Sequence, residues 1–576
     1  MKFVKYTCCL FLLIILAGCN DEFMDRFPTD SIVEENFWNN ENELKQYVNS
    51  FYQSCDAFAG HGTAHEMSPM LTGDYQSDNL VPVNYNVVAA GEHVVPPTGG
   101  GWNWDFIRGC NYFLTRYDRA AISQEQKDRY AGEVRVFKAL EYFKLVKRFG
   151  DVPWLSKDLS VDSEELYAPR DSRILVMDSV LRDLDWAIER LPGKDQAEPN
   201  RINRDVALAV KARICLHEGT FRKYHGIEGS EKFLKEALNS SGTLMQDGNY
   251  QIHDQNNAAT DYSELFSSLD LSANREIILY RKYETDLLGN RTVQFVQDNA
   301  MNAGVSKSLV ESYLCEDGLP VSLSPAYLGD EDIDNELLNR DPRLTQTVVY
   351  PRTAMQEGLP GPAIPGTDFG GSSLSAGICP TGYQILKYWV DDIEEYLRIQ
   401  NGILDAPLFR YAEVLLIHAE AAAELGICDQ SLLDRTINLL RDRAGMPPML
   451  LATVESWEGN ANYQLDYQNI SSALINEIRR ERRVELAIEG FRYDDLMRWR
   501  EGKLLENRLL GMKFVQSVYP EVVVGQDLFL TEEGYIWPYA KSLSSGRKFD
   551  ENKHYYFPLP TEELVLNPNL EQNPNW

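Results

Sequence analysis

The segment from residue 474 to 499 constrains the fold of this chain more than any other part of the sequence. At about 100° per residue, its apolar side chains fall on one arc of a helix: Leu474, Ile478, Val484, Ile488 and Phe491. Glutamates lie within or beside that arc, at positions 477, 481, 485 and 489. Carboxylates on a core-facing surface are costly unless cations pair with them, and arginines stand nearby at 479, 480, 482, 483 and 492. We therefore predict a buried helix whose ion pairs fix its register, with a break at Gly490.

Two other interpretations of this segment stay open. An exposed helix patterned with both charges would look similar, although it would not need apolar residues between its carboxylates. A catalytic carboxylate pair is less favoured, because the surrounding sequence offers no second reacting group.

The first nineteen residues have the organisation of a lipoprotein leader. Lys2 and Lys5 precede an apolar run, residues 8–16, that is too short to span a bilayer. The run ends in Leu16-Ala17-Gly18-Cys19, the pattern at which bacterial lipoproteins are cleaved and lipidated. We predict a signal peptide over 1–18, a lipid on the thiol of Cys19 and a tether over 19–30. An ordinary secretion signal followed by a coincidental cysteine is the alternative.

Charge and cysteine content exclude several classes of function. The 576-residue chain has a formal net charge of −31 at pH 7. Nucleic acids and anionic membrane surfaces are bound through basic patches, so neither is predicted as a partner. The cysteines at 55, 110, 215, 315, 379 and 428 form no C-x-x-C pair, and no histidine stands at metal-ligand spacing. We interpret most of them as small buried residues and leave their disulfide state open.

Helical periodicity recurs along the chain and predicts a mostly α-helical protein. Predicted helices cover 106–119, 130–149, 172–191, 203–220, 408–425 and 431–444. They indicate three antiparallel pairs of the tetratricopeptide kind, although the strict consensus of that repeat, roughly 34 residues long, is missing. The intervening ranges 60–104 and 250–400 are rich in turn-forming residues. Long ordered loops on a helical scaffold commonly perform the function of a protein.

Several segments, in this order, resemble the SusD/RagB-like outer-membrane lipoproteins. They include WNWDFIRGCNYFL (102–114), EVRVFKALEYFKLVKRFGDVPW (133–154), APLFRYAEVLLIHAEAAAELG (406–426) and ERRVELAIEGFRYDDLMRW (481–499). The resemblance spans nearly the whole mature chain; one departure is Lys138, where the family often has Arg at a structural helix position. It implies a mostly α fold, an α-α superhelix with four tetratricopeptide-like pairs, within a single domain over 31–576. That domain comprises an N-terminal segment with a loop excursion (31–104), helical pairs (105–250), a loop-rich ligand-side insertion (251–404), further helical pairs (405–500) and a packed tail (501–576).

The resemblance also implies a function. It implies a loop-built face that binds an oligosaccharide or, in some members, a peptide. Asn20-Asp21-Glu22, directly after Cys19, resembles the surface-export signal of these families, which implies a lipid-anchored protein on the outer face of the outer membrane. Such a protein would be the lid and capture partner of a SusC-type TonB-dependent transporter, with no catalysis of its own. A nutrient glycan is the predicted ligand; a peptide-capturing lid of the RagB kind and a surface glycoside hydrolase are the alternatives.

Glycan sites combine flat aromatic rings that stack on sugars with polar groups that bond hydroxyls. By position, family members draw these groups from the excursion before the first tetratricopeptide-like unit and from the middle insertion. The predicted ligand-binding residues are therefore Asp74, Tyr75, Asp78, Asn79, Tyr85, Asn86, Trp102, Tyr283, Asn290 and Arg291. Trp102, beside three glycines, is the first candidate for stacking, whereas Trp104 lies in a shared segment and is predicted to be core.

No cofactor and no metal site are predicted. The oxygens around 74–79, or those of the acidic run 330–334, could hold calcium, but no EF-hand pattern is present and a solvated acidic loop is favoured. His65-Glu66 and His217-Glu218 begin like the zinc motif H-E-x-x-H but lack its second histidine. G-x-S-x-G, P-loop and G-x-G-x-x-G motifs are missing from the sequence as well.

Overall fold

A computed structural model describes residues 37–55, 69–299, 302–349, 364–365 and 378–576 of the chain. The predicted signal peptide, the lipidation site at Cys19 and the tether lie outside the described residues, as does His65-Glu66. These predictions are therefore not addressed by the fold.

Helices dominate the described chain, and strands are few and short. The helices are α1 (Glu41–Phe51), α2 (Pro69–Thr72), α3 (Asp105–Leu114), α4 (Gln124–Phe149), α5 (Arg173–Arg190), α6 (Arg204–His225), α7 (Ser230–Asp247), α8 (Asp261–Ser267), α9 (Thr292–Asn299), α10 (Lys307–Ser312), α11 (Ile333–Leu337), α12 (Pro342–Thr345), α13 (Ile393–Leu397), α14 (Tyr411–Glu424), α15 (Gln430–Asp434), α16 (Ile437–Arg443), α17 (Leu451–Glu455), α18 (Ala473–Glu485), α19 (Arg492–Arg498) and α20 (Thr561–Leu566). The strands are β1 (Leu80–Pro82), β2 (Ile277–Arg281), β3 (Ala303–Val305), β4 (Ile364–Pro365), β5 (Ile378–Cys379) and β6 (Ala406–Arg410). The predicted mostly α fold class is confirmed.

Local sequence explains where the long helices begin and end. Ser123 and Gln126 form a capping box at the start of α4, and Gly150, with a φ of 76°, follows its last residue. The side chain of Asn203 accepts from the backbone of α6 at its first turn, and left-handed Gly226 ends the helix. Left-handed Gly229 then starts α7, so the α6–α7 turn is only a few residues long.

The helices pair differently from the sequence prediction. The predicted partner of 203–220 is 172–191, but α6 packs mainly against α7, and α5 packs mainly against α4. The prediction missed α7 because Ser240, Ser241 and Gly242 interrupt its apolar periodicity. Gly219 lets α6 approach α7 closely, since a Cβ there would lie 2.9 Å from the Leu234 side chain. Helix α14 continues the array by packing against α7 and α18.

Within the part of the chain that the structure describes, three two-stranded sheets tie the loop-rich segments together. Strands β1 and β3 are antiparallel, with Leu80 opposite Val305 and Pro82 opposite Ala303. Strands β2 and β6 are antiparallel with an irregular register, and β4 and β5 are parallel. The first pair links the excursion before α3 to the middle insertion, and the second links that insertion to the start of α14.

Helix α18 connects two hydrophobic cores. Leu474 and Ile478 belong to the core of the helical array. Val484 and Ile488 belong to a second core beneath the loop-rich segments, which includes buried tyrosines such as Tyr313. One short segment therefore stabilises both halves of the molecule.

The glutamates of this segment are buried and ion-paired, as predicted. Glu485 accepts from the guanidinium groups of Arg343, Arg410 and Arg443 at 2.9, 2.7 and 2.6 Å. Glu489 pairs with Arg410 and Lys387, each at 2.8 Å. Most of these cations come from other elements, whereas the sequence predicts pairing with the arginines of the segment itself.

The segment's own arginines reach outward to neighbouring elements. Arg480 pairs with Glu477 on the same helix, but Arg479 pairs with Glu424 and Arg482 with Asp495. The helix also ends at Glu485, earlier than predicted, because Ile488 and Gly490 adopt left-handed conformations with φ of 60° and 80°.

The tail packs back onto the helical array. Phe557 donates its backbone N–H to Arg148 at the end of α4, and the Asn573 side chain donates to Phe149 there. Among the described residues, no helix combines the length and the apolar character needed to cross a membrane.

Candidate functional site

The predicted residues Asp74, Asp78 and Asn79 are buried and support the α18–α19 segment. The Asp78 carboxylate accepts from Arg492 at 2.7 and 2.9 Å, and Asn79 accepts from Arg483 at 2.8 Å. Although burial alone would raise it, Arg483 and Arg492 hold the pKa of Asp78 well below its usual range. Asp74 accepts from the backbone N–H of Ile488 at 2.9 Å, and burial raises its pKa to about 6. These groups are occupied by bonds within the fold.

Trp102 and Tyr283 are core residues. Trp102 is 7% exposed and meets Trp104 and Phe149 edge-to-face at 5.3 and 5.0 Å, so an open stacking face is not available in this structure. Its neighbour Trp104, predicted to be core, is the more exposed of the two. Tyr283 is 5% exposed within the second core.

Tyr75 and Asn290 also have structural positions. Tyr75 packs against the second core, and burial raises the pKa of its hydroxyl. The Asn290 side chain is fully buried and donates to the carbonyl oxygens of Gly402 and Leu404 at 3.4 and 3.1 Å.

Tyr85, Asn86 and Arg291 have half-buried side chains. The Tyr85 hydroxyl donates to Glu92 at 2.8 Å, which raises its pKa. Asn86 accepts from the backbone of Val88 and Ala89, which closes a turn. The structure brings Tyr85 and Asn86 together on the excursion, whereas Arg291 stands at the start of α9 in the insertion.

The tail supplies aromatic residues beside Tyr85 that were not among the predicted ligand-binding residues. Tyr85 meets Tyr539 edge-to-face at 6.1 Å, and the Tyr539 hydroxyl donates to Pro82 at 2.6 Å. Trp537, half-buried, lies two residues before Tyr539, and the Arg508 guanidinium sits 4.2 Å from its ring centroid. Trp537, Tyr539 and Arg508, together with Asn507, line a cavity of about 250 Å³.

A second, polar cavity adjoins the first. It measures about 650 Å³ and shares Asn507 as a lining residue. Its walls come from the excursion, the middle insertion and the segments around α18, and its polar lining includes Glu311, Asn462, Gln464, Asp466, Arg480 and Arg483. We call the two adjoining cavities the Asn507 groove.

The Asn507 groove has the chemistry of a site for a hydroxyl-rich ligand. Trp537 offers an aromatic ring, and carboxylates, amides and guanidiniums offer paired donors and acceptors. The sequence predicted that the excursion and the insertion supply the site, and they line the groove through Asp78 and residues 308–322. Trp537 was missed because the tail was interpreted as packing alone; a tryptophan between turns, in Gly534–Pro538, was the available signal.

The described residues offer one grouping of metal-ligating side chains, His253, Asp261 and Glu264, away from the groove. Asn274 accepts from the Glu276 backbone through its oxygen, which turns its NH₂ group toward Nδ1 of His253 at 3.4 Å. Nδ1 then accepts, so Nε2 bears the proton and faces Glu264 at 3.3 Å. This tautomer does not suit metal binding. Asp78, one of the residues considered and not favoured as a calcium ligand from the sequence, pairs with Arg483 and Arg492.

Comparison with known proteins places this geometry in a family. The family model described as "SusD family" matches residues 237–576, and the model described as "Starch-binding associating with outer membrane" matches residues 22–216. SusD-like protein P2 of Formosa agariphila is 23% identical, with 100% of this chain and 99% of the relative covered.

Solved structures resemble the fold along most of the chain. A SusD-like carbohydrate binding protein from Bacteroides fragilis aligns with a TM-score of 0.73 at 24% identity, over 93% of this chain and 100% of that one. A protein described as a laminarin binding SusD-like protein aligns with a TM-score of 0.58 at 18% identity, over 93% and 100%. At these identities the likeness concerns the fold.

Proposed function

The chain belongs to the SusD family, and from that membership we propose that it captures a glycan at the cell surface. The Asn507 groove is the capture site. The bound glycan then passes to a SusC-type TonB-dependent transporter on which the protein acts as a lid, anchored in the outer membrane through the lipid on Cys19. The protein binds its ligand and does not cleave it.

The observation that carries this proposal is the position of Trp537 at one end of a polar groove. Its ring is half-buried rather than enclosed, and Arg508 covers it from one side at 4.2 Å. A sugar ring can stack on such a face while its hydroxyls bond the amides and carboxylates of the adjoining cavity. The names of similar proteins, a carbohydrate binding protein and a laminarin binding protein, support the same ligand class.

The test uses native affinity gels that contain a panel of polysaccharides, with laminarin and starch included. The soluble chain from residue 20 onward retains every residue that the structure describes. We expect one polysaccharide to retard it, and we expect Trp537→Ala to weaken that retardation about tenfold, because losing an aromatic contact costs on the order of 1 kcal/mol or more.

Trp186→Ala is the matched control. Trp186 is also half-buried, and the Arg190 guanidinium lies 4.4 Å from its ring centroid, but it sits on α5 and lines neither cavity of the groove. Equal retardation of both variants would place the glycan elsewhere and return attention to the sequence-predicted residues, beginning with Tyr85. Binding to peptides but to none of the glycans would favour the RagB-like alternative. Release of reducing sugar ends by the wild-type chain would contradict the proposal that it is not an enzyme.

A further inference from the structure

A separate cavity of about 470 Å³ lies between helices α4, α6 and α14 and the Glu489–Arg498 segment. None of its lining residues lines the Asn507 groove. Its volume lies in the range typical of small-molecule sites, roughly 300–1,000 Å³. The walls are largely apolar and include Phe143, Leu216, Leu408, Ile417 and Phe491. We call it the Arg482 cavity.

Most charged groups that line this cavity are already paired with each other or with neighbours. Glu413 accepts from Arg213 at 2.6 and 2.7 Å, and Glu489 accepts from Arg410. Asp494 pairs with Lys147, and Asp495 pairs with both Arg482 and Arg498. Every carboxylate in the lining therefore has a cationic partner, which leaves no anionic group to recognise a cationic ligand.

Arg482 has unused hydrogen-bonding capacity. Its side chain is 4% exposed and bonds Asp495 through Nε at 2.9 and 3.1 Å, whereas Nη1 has no hydrogen-bond partner. Nδ1 of His217, a second buried side chain of the lining, has none either. Burial holds the pKa of His217 well below its usual range, so the ring is neutral. A buried guanidinium N–H without an acceptor is unfavourable, and an anionic oxygen is the acceptor that suits it best.

The rim adds an exposed positive charge to the entrance. The side chain of Lys144 is 68% exposed and lies 3.4 Å from Glu141 in an open i,i+3 pair that contributes little. Phe491, half-buried, lies between the Arg213 and Arg482 guanidiniums, 5.1 and 5.3 Å from its ring centroid. Cations thus stand at the entrance and on the wall of a cavity whose wall area is mostly hydrocarbon and whose carboxylates are already paired.

We propose that the Arg482 cavity binds a small amphipathic carboxylate, with its anionic head on Arg482 and its hydrocarbon body along the apolar walls. A sugar does not match these walls, because its hydroxyls would face mostly hydrocarbon. The proposal concerns a second ligand and stands independently of the glycan.

The experiment measures the fluorescence of anilinonaphthalene sulfonate, an anionic aromatic probe, as it is displaced from the soluble chain. We expect octanoate to displace the probe and octylammonium, which has the same hydrocarbon body and the opposite charge, to fail. Lys144→Glu should weaken octanoate binding about fivefold by reversing a charge at the entrance. Leu408→Trp, which fills part of the cavity, should abolish it.

Lys235→Glu is the matched control, because Lys235 is an exposed helix lysine paired with Glu231 on α7, away from the cavity. Circular dichroism establishes that each variant is folded. The displacement assay contains no glycan, so a failure of glycan binding would not affect this test. Equal competition by octylammonium, unchanged binding in both cavity variants, or no displacement by octanoate would each overturn the proposal and leave water as the partner of Arg482.

Discussion

At the scale of single residues, the pKa of a buried carboxylate depends on whether a cation faces it. Three arginines face Glu485 and, against the effect of burial, hold its pKa well below the usual range. Asp74 instead accepts from Asn79 at 3.2 Å and from the backbone of Ile488 and Arg492 at 2.9 and 3.4 Å. Burial therefore dominates and raises its pKa to about 6, from an ordinary value of 3.8.

This difference predicts how Asp74 affects stability as pH changes. Between about pH 4 and about pH 6 the folded state keeps a proton on Asp74 that the unfolded state has lost, so the unfolded state binds fewer protons. The contribution of Asp74 to the free energy of unfolding then falls as pH rises, by about 2 kcal/mol from about pH 4.5 to about pH 7. Asp74→Asn should remove this pH dependence. The free energy of unfolding of the variant should therefore fall furthest below that of the wild type at the acidic end of the series. Urea denaturation across the pH series measures it.

Asp78→Asn is the control for that experiment. Asp78 has a depressed pKa, so it is ionised in both the folded and the unfolded state through most of this pH range. Its replacement should therefore lower the free energy of unfolding by a nearly constant amount across the series. Parallel pH profiles for the two variants would show that Asp74 is not protonated in the folded protein at these pH values.

The same residues show where sequence reasoning stops. Asp74, Asp78 and Asn79 stand among turn residues and read as ligand contacts, because polarity in a loop does not reveal that a side chain turns inward. The arginines that bind Asp78 and Asn79 lie some four hundred residues later in the chain. Trp537 is the opposite case, an aromatic residue of a tail predicted to be packed whose ring is only half-buried. Its exposure depends on how the tail folds over the excursion.

At the scale of elements, the register of α18 depends on an ionic network shared by several segments. Arg410, at the end of β6, bonds Glu276, Glu485 and Glu489 at distances of 2.7 to 3.0 Å. Its side chain is 3% exposed, so its removal would leave three carboxylates with less compensation in a low-dielectric environment.

Arg410→Met should therefore lower the free energy of unfolding by about 3–5 kcal/mol, the usual effect of breaking a buried ion pair from one side. Arg204→Met is the control, because Arg204 pairs with Asp247 at 3.0 Å with side-chain exposures of 37% and 31%. Arg204→Met should lower the free energy of unfolding by about 1 kcal/mol or less. Chemical denaturation compares the two, and similar losses would mean that the network contributes little to holding α18.

The sequence predicted helices well where the apolar periodicity is sustained. It did not predict features that depend on tertiary contacts with other elements. The helices α5 and α14 were predicted to within three residues at each end, because each presents a sustained apolar pattern with clear end signals. Helix α4 begins six residues earlier than predicted, and α6 ends five residues later. The pairing of α6 with α7 could not be predicted, since it depends on the close approach at Gly219 rather than on the pattern of either helix. The early end of α18 likewise follows from the tertiary bond between Asp74 and Ile488.

At the scale of the whole molecule, the helical array and the loop-rich half share one segment. The array holds the first core, the loop-rich half holds the second, and α18 contributes to both. The Asn507 groove is lined by the loop-rich half together with the α18–α19 segment, whereas the Arg482 cavity lies against the array. Both cavities are therefore lined by side chains that extend from this one segment.

The proposed surface role depends on a membrane anchor. None of the described helices is able to cross a membrane, and covalent lipid contributes about 0.8 kcal/mol per buried CH₂ group. The sequence predicts that Cys19 bears this lipid on its thiol sulfur, which serine lacks. Cys19→Ser should therefore move the protein from the membrane fraction of its host to the soluble envelope fraction, as measured by fractionation and immunoblotting. Cys428→Ser, at a partly buried cysteine of the folded body, should leave it in the membrane. If the Cys19 variant stayed in the membrane fraction, its association would have to come from another part of the chain or from binding to the transporter. Repeating the fractionation in cells that lack the transporter would distinguish these two explanations.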